Sequence, residues 1–264
     1  MTGRTTGPIP FIKFGLLVTG DCEQVHLPEM FRILMATRRC RFEVIGKIGQ
    51  RNPRSNQRQL KMVGSGKKIP DKDAEQIGLP ARKYLNALPS NRVLLIDDLE
   101  AGRRNMWREV FTRYRLALET MNEGKSDRFA VFFLVNMLEA YFFCDPELLN
   151  RLLKPRRKFA MICGDAEELI VHPKKELQSR VKRYRELLHG GALLREMDLF
   201  QVLGRLDTCG SLRALFAWCV KTLDLVPGID IHDLRKRLRL HDGIVNIITG
   251  PQLKWLPEVR QREP

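Results

Sequence analysis

The feature that most constrains this chain is an alternation in its first half, where short, almost wholly apolar runs are separated by stretches of helical periodicity. Phe11–Val18 (FIKFGLLV) is short and apolar enough for a buried strand and stops at the turn Thr19-Gly20-Asp21. Leu27, Phe31, Leu34 and Met35 then recur at helical spacing, which predicts a helix with Pro28 in its first turn. Phe42–Ile48 is a second strand candidate, Pro80–Leu88 a short helix, and Arg92–Ile96 a third strand closed by Asp97-Asp98. Trp107, Val110, Phe111, Tyr114, Leu118 and Met121 form one helical stripe before a fourth strand, Ala130–Val135. Strands that read as unbroken apolar runs are buried on both faces, and strand–helix alternation supplies the crossovers that parallel pairing needs. The expected fold class is therefore α/β, with a mostly parallel central sheet flanked by helices.

From about residue 146 strand signals thin out and helical periodicity takes over, in Lys174–Leu188 and Leu212–Leu223. The expected organisation is an α/β domain over residues 1–150 and a mainly helical C-terminal extension over 151–264. With 264 residues, 44% of them hydrophobic, there is enough apolar surface for a sizeable core. The longest apolar run, Phe129–Leu138, is interrupted by Asn136 and falls short of the roughly 18 residues a membrane span needs. The six cysteines are scattered without a Cys-x-x-Cys pair, which argues against a disulfide framework and a structural zinc site. The N-terminus lacks the charged-then-apolar pattern of a signal peptide, so the expected location is the cytoplasm and no membrane association is expected.

The chain carries 46 Lys and Arg against 31 Asp and Glu, a formal net charge of +15. The excess is clustered. Residues 32–72 hold twelve basic side chains opposed only by Glu43 and Asp71. Within them, Gln50–Pro70 is polar and poor in apolar residues, and reads as a long exposed loop. Its Arg51, Arg54, Arg58, Lys61, Lys67 and Lys68 are the candidate nucleic-acid contacts: many point charges, no aromatic residue, hence a grip on the phosphate backbone without base reading. Two smaller basic knots lie at Lys154–Lys158 and Arg235–Arg239. An acidic protein partner is the competing explanation for the same charge.

In an open α/β sheet, ligands bind beyond the carboxyl ends of the strands. Acidic residues stand at three of those ends: Asp21 and Glu23 after the first strand, Asp97, Asp98 and Glu100 after the third, Glu139 and Asp145 after the fourth. Carboxylates gathered in one place repel, and a hard divalent cation is the usual remedy. Each residue taken singly also has a structural explanation. Glu23 and Glu100 suit helix N-termini, and Asp145 suits a cap before Pro146.

Three stretches carry a resemblance. The first strand runs into Leu17-Val18-Thr19-Gly20-Asp21-Cys22-Glu23; the third reads Leu94-Leu95-Ile96-Asp97-Asp98-Leu99-Glu100-Ala101-Gly102; the fourth continues as Glu139-Ala140-Tyr141 and then Asp145-Pro146-Glu147. Over roughly residues 11–150 the chain resembles toprim-like proteins related to the OLD (overcoming lysogenization defect) nucleases. That resemblance implies a toprim-like fold and hydrolysis of phosphodiester bonds with Mg²⁺ or Mn²⁺. Glu23 and Asp97 would be the principal catalytic and metal-ligating residues, with Asp98, Glu100 and Glu139 completing the set. It also implies an ATPase protein partner and a role in defence against phage or mobile elements; DNA is the expected nucleic acid ahead of RNA, and a homo-oligomer is left open. Two departures fall on the chemistry: Thr19 stands where the relatives carry Glu, and Leu99 stands where the second Asp of their Asp-x-Asp would be. The alternative is then a catalytically degenerate toprim-fold adaptor subunit that binds nucleic acid or protein.

Other signals carry less. Gly64-Ser65-Gly66-Lys67-Lys68 lacks the spacing and leading strand of a phosphate loop, so no ATP site is expected. His172-Pro173-Lys174-Lys175 reads as an exposed helix start more readily than as a phosphate contact. His26 and Cys22 lie near the acidic rim without a partner that would make either one catalytic.

Overall fold

A computed structural model describes residues 11–51, 60–62, 68–225, 231–238, 240–241 and 244–245. Four strands form its centre: β1 (Ile12–Val18), β2 (Cys40–Lys47), β3 (Arg92–Leu99) and β4 (Phe129–Val135). All pair in parallel, in the order β2-β1-β3-β4, so β1 and β3 are central and β2 and β4 form the edges. The protein is an α/β fold with a four-stranded parallel sheet covered by helices on both faces. All four strands stand where the apolar runs predict them. Among the described residues no helix is long and apolar enough to cross a membrane.

The helices on the two faces differ in origin. α1 (Asp21–Met30) leaves β1 through Gly20, with Asp21 and Glu23 in its first turn, where carboxylates complement the helix dipole. Pro28 therefore sits in the last turn and not, as the sequence suggests, in the first. The proline has no N–H to offer, and the helix ends two residues later, with Phe31 N donating to Pro28 O at 3.1 Å. α2 (Leu79–Ala87) and α3 (Trp107–Met121) cover the opposite face.

Because side chains alternate along a strand, the two faces separate cleanly. Val93, Leu95 and Leu99 of β3 pack with Val110, Tyr114 and Leu118 of α3. Leu94 and Ile96 face the other way, into a core with α1. Phe31 stacks on Phe42 with ring centroids 4.0 Å apart, and Phe42 on Phe14 at 4.4 Å, which ties the turn after α1 to β2 and β1.

The second half adds α4 (Pro146–Leu153), α5 (Pro173–Arg180), α6 (Gly191–Glu196) and α7 (Gly210–Asp224). Asp145 caps α4 by accepting from Leu148 N at 3.1 Å, as its place before Pro146 predicts. The periodic stretch Lys174–Leu188 is not one helix. It breaks after Arg180, where Val181 and Tyr184 turn into the core, and resumes as a single π-turn at Glu186–Gly190. These helices lie on the α1 face and share one apolar core with it, running from Ile12 to Leu238. Within Gln50–Pro70, expected to be loop throughout, Leu60–Met62 and Lys68–Pro70 pair as two short antiparallel strands.

One buried carboxylate braces this layer. Glu167 is fully enclosed; its Oε1 accepts from Ser211 N at 2.9 Å and Tyr141 OH at 3.1 Å, and its Oε2 from Ser211 Oγ at 3.1 Å. Burial, and next the Asp165 carboxylate, push its pKa from 4.5 up to about 8 against these hydrogen bonds. A raised folded-state pKa means that the contribution of Glu167 to stability is fully present below pH 4.5 and is lost as pH rises through about 8. The melting temperature should fall across that window, and Glu167→Gln should remove part of the fall. Differential scanning calorimetry from about pH 4 to pH 9 checks this, with identical slopes for the two proteins as the contrary result.

Candidate functional site

Three carboxylates from successive strand ends meet at the carboxyl edge of the sheet, on the α1 face. Glu23 comes from the first turn of α1, Asp98 from β3, and Glu139 from the 3₁₀ turn Leu138–Cys144 that follows β4. All three are nearly closed off from solvent, at 2%, 5% and 2% exposure. Glu23 Oε2, Asp98 Oδ1 and Glu139 Oε1 are buried without a hydrogen-bond donor. Burial, and next the Glu23 and Glu139 charges, push the Asp98 carboxyl well up. Glu139 rises to about 7, chiefly by burial, and Glu23 rises for the same leading reason. Asp98 lies within hydrogen-bonding reach of Glu23, so protonating one of the two lets them share a proton.

Local backbone explains the convergence. Gly20 leaves room that Glu23 fills, since a Cβ at residue 20 would stand 1.8 Å from Glu23 Oε2. Thr19 accepts from Asp98 N through its hydroxyl at 3.3 Å and so pins β1 to β3 beneath the cluster. After β4 the chain turns through Asn136 and Met137, both at positive φ; Met137 (φ 77°, ψ 163°) occupies backbone space that is ordinarily glycine's, a strain of about 1–3 kcal/mol. Asn136 holds the turn, its Nδ2 donating to Glu167 O at 2.7 Å and its backbone N to Leu99 O at 3.0 Å.

Lys174 is the cation of the cluster. Its Nζ lies 2.6 Å from Glu186 Oε2 and 3.8 Å from Glu139 Oε1. Burial opposes its charge, yet Glu139 and Glu186 outweigh burial and hold its pKa above the usual lysine value. A cavity of about 720 Å³ opens over the site, with Asp98, Glu100, Gln50, Lys174, Arg185 and Leu187 among its walls. A smaller recess of about 190 Å³ adjoins it and shares Glu100, Met137 and Lys174.

Against the sequence expectations, Glu23, Asp98 and Glu139 come together and Glu100 stands exposed at the rim. Asp97 does not join them. Adjacent strand residues point to opposite faces, and the Asp97 side chain lies on the α3 side, where Arg103 Nη2 donates to its Oδ2 at 2.7 Å and Tyr114 OH donates at 2.9 Å. Its negative charge is already balanced by Arg103, so the pairing of Glu23 with Asp97 gives way to Glu23 with Asp98. Leu99 likewise points into the α3-side core.

Arg51 is not a free cation either. It is 7% exposed, with Nε 2.6 Å from Asp73 Oδ1 and Nη2 donating to Gln76 Oε1 at 2.8 Å. Arg54, Arg58 and Lys67 lie outside the described residues, and Lys61 and Lys68 belong to the short strand pair.

Sequence reasoning missed Lys174 and Glu186. Its reading of His172-Pro173-Lys174-Lys175 as an exposed helix start has the helix right; the Lys174 side chain instead reaches back into the cluster. No local pattern links Glu186 to residues 160 positions earlier.

Residues 23–217 match the family described as "Domain of unknown function (DUF4276)". The chain belongs to that family. The match runs from Glu23 through Asp98, Glu139, Lys174 and Glu186, so the whole cluster falls inside DUF4276. No curated protein and no solved structure matches the chain.

Oxygen donors on buried carboxylates suit a hard divalent cation, and three donorless oxygens are the kind of vacancy such an ion fills. Among the described residues no three His, Cys, Asp or Glu side chains already stand at metal-ligating spacing, so the carboxylates would have to close on an ion. Asp97→Asn should strand the Arg103 charge and destabilise by about 3–5 kcal/mol. Asp98→Asn should do the reverse and raise the melting temperature in EDTA by a few degrees, because it relieves buried repulsion. Calorimetry of both variants decides whether the two neighbours have these opposite roles.

Proposed function

We propose that this DUF4276 protein is a nucleic-acid-binding, divalent-metal-dependent phosphodiesterase that acts in the cytoplasm. The observation that carries the reading is the meeting of Glu23, Asp98 and Glu139, with donorless buried oxygens, in a chain of net charge +15. A strongly basic protein that nonetheless concentrates acid at one strand edge fits a polyanion held outside and a cation held inside.

Glu23, Asp98 and Glu139 would hold Mg²⁺ or Mn²⁺. Such an ion, when bound, lowers the pKa of its water and offsets charge on a phosphoryl oxygen. Lys174 sits beside Glu139 and is held protonated, so its Nζ can donate to a phosphate oxygen as negative charge builds there. Thr19 cannot replace a carboxylate; its service is to fix the Asp98 backbone. DNA as the substrate, an ATPase partner and a role against phage or mobile elements are the parts of the proposal that rest on the resemblance to toprim-like proteins related to the OLD nucleases.

A second reading has its own observation. Lys174 already lies next to Glu139 and Glu186 in the place where a metal's charge would act, and Thr19 has lost the charge of its counterpart. An adaptor subunit that uses the same surface only to bind follows from that.

Incubation of the protein with Mn²⁺ or Mg²⁺ and with DNA or RNA separates the two. The phosphodiesterase reading expects strand scission that falls about a hundredfold or more in Glu23→Gln, Asp98→Asn and Lys174→Met. Salt-dependent binding with no scission under either metal favours the adaptor.

A further inference from the structure

The 190 Å³ recess beside the carboxylates differs in character from the larger cavity. Its walls include Ala101, Gly102, Met137, Val171 and Pro173, with His172, the cations Lys174 and Lys175 and one carboxylate, Glu100, completing them. At roughly 30 Å³ per water it has space for about six waters, the scale of one flat heterocycle rather than of a peptide or a helix. We propose that this recess is a nucleobase slot that takes the base of an unpaired nucleotide whose phosphate lies at the carboxylate site. The inference rests on the phosphodiesterase reading and adds to it a substrate class, single-stranded nucleic acid.

Four observations converge. The recess and the carboxylate cavity share Glu100, Met137 and Lys174, so a ligand in one is within a side chain's width of the other. The walls offer aliphatic and thioether surface, which covers a π-face, while the adjoining lysines suit the phosphate next to it. Met137, common to both cavities, is held in glycine-type backbone space by the Asn136 contacts, and such strain persists where its surroundings dictate it. Gly102 lines the recess, and a Cβ there would meet nothing within 4 Å, so a larger side chain can be placed at its edge without a clash. A base stacked inside a duplex cannot enter so small a recess, whereas an unpaired base can.

Fluorescence anisotropy in EDTA tests the slot apart from hydrolysis. The probes are a single-stranded 12-mer, the same sequence as a duplex, and an all-abasic strand of equal length, with a mononucleotide as competitor. The single strand should bind about tenfold more tightly than either of the other two at one salt concentration. Gly102→Leu should abolish that preference while leaving the abasic strand and the melting temperature unchanged. Val171→Gln, a neutral change at an exposed position, should do the same and covers the case in which the first variant folds poorly. Equal affinity for the normal and abasic strands, or variants that keep the preference, overturns the slot; a mononucleotide competing as well as the strand overturns the strand as its occupant. Failure of the two proposals is distinguishable. Base-dependent binding without metal-dependent scission leaves the slot and removes the hydrolysis, and scission of duplex unaffected by Gly102→Leu does the opposite.

Discussion

Neighbouring residues on a strand cannot face the same way, and at the end of β3 that constraint divides two carboxylates between two jobs. Asp97 turns toward α3, where Arg103 and Tyr114 hold its oxygens. Asp98 turns toward α1 and meets Glu23 and Glu139 with one oxygen lacking any donor. The same residue type, one position apart, is structural on one face and electrostatically frustrated on the other. Arg103 links the two, because its Nη1 also donates to the backbone carbonyl of Asp98 at 2.9 Å while its Nη2 donates to that of Arg51 at 2.7 Å. The satisfied face therefore holds the backbone from which the frustrated face is built.

Buried carboxylates that repel lower stability, and a fold keeps them only if something else holds the chain in place. Here the support is layered behind the cluster. Thr19 ties β1 to β3, Asn136 fixes the turn after β4, and Glu167, saturated with donors, ties Tyr141 and Ser211 together. Gly190 and Gly191 let the segment bearing Glu186 close tightly on α1; a Cβ at residue 191 would lie 2.5 Å from the His26 ring. His26 Nε2 donates to Leu187 O at 2.9 Å, which fastens the same segment to α1. Lys174 and its two carboxylate neighbours are thus mounted on elements with little freedom, which a site needs if it is to meet a phosphate without rearranging.

Much of the frame was legible in the sequence, and the reason is physical. Apolar runs of five to eight residues and a stripe such as Trp107–Met121 carry their secondary structure in their period, so the four strands and α3 stand where the pattern puts them. Facing is less legible. Asp97-Asp98 shows that one carboxylate points each way, but which face meets Glu23 depends on which side α1 packs, and α1 has almost no amphipathic stripe to announce it. Pro28 misled for a related reason: a proline suits a first turn, and the apolar spacing around it does not show that the helix has already begun at Asp21 and is about to end. The basic segment shows the opposite error, in which Arg51, one of six cations in a polar stretch, is drawn inward by Asp73, a residue that the local sequence does not mark as its partner.

Long-range electrostatics explains why Lys174 was the hardest residue to see. Its neighbours Glu139 and Glu186 flank it at sequence distances no motif encodes, and its own surroundings, a proline-led helix start with a second lysine, look like ordinary solvated charge. What draws it inward is the same excess of buried negative charge that makes the strand edge notable. Three carboxylates without enough donors set up a field that a flexible ammonium answers more cheaply than a guanidinium would, because it needs only a point charge at the end of a long apolar stem. A lysine that can leave one carboxylate for another, or for a phosphate, is suited to a site where the cation must share its place with a ligand. The arrangement of acid inside and base around it is then a single electrostatic construction, with Lys174 as the member that belongs to both.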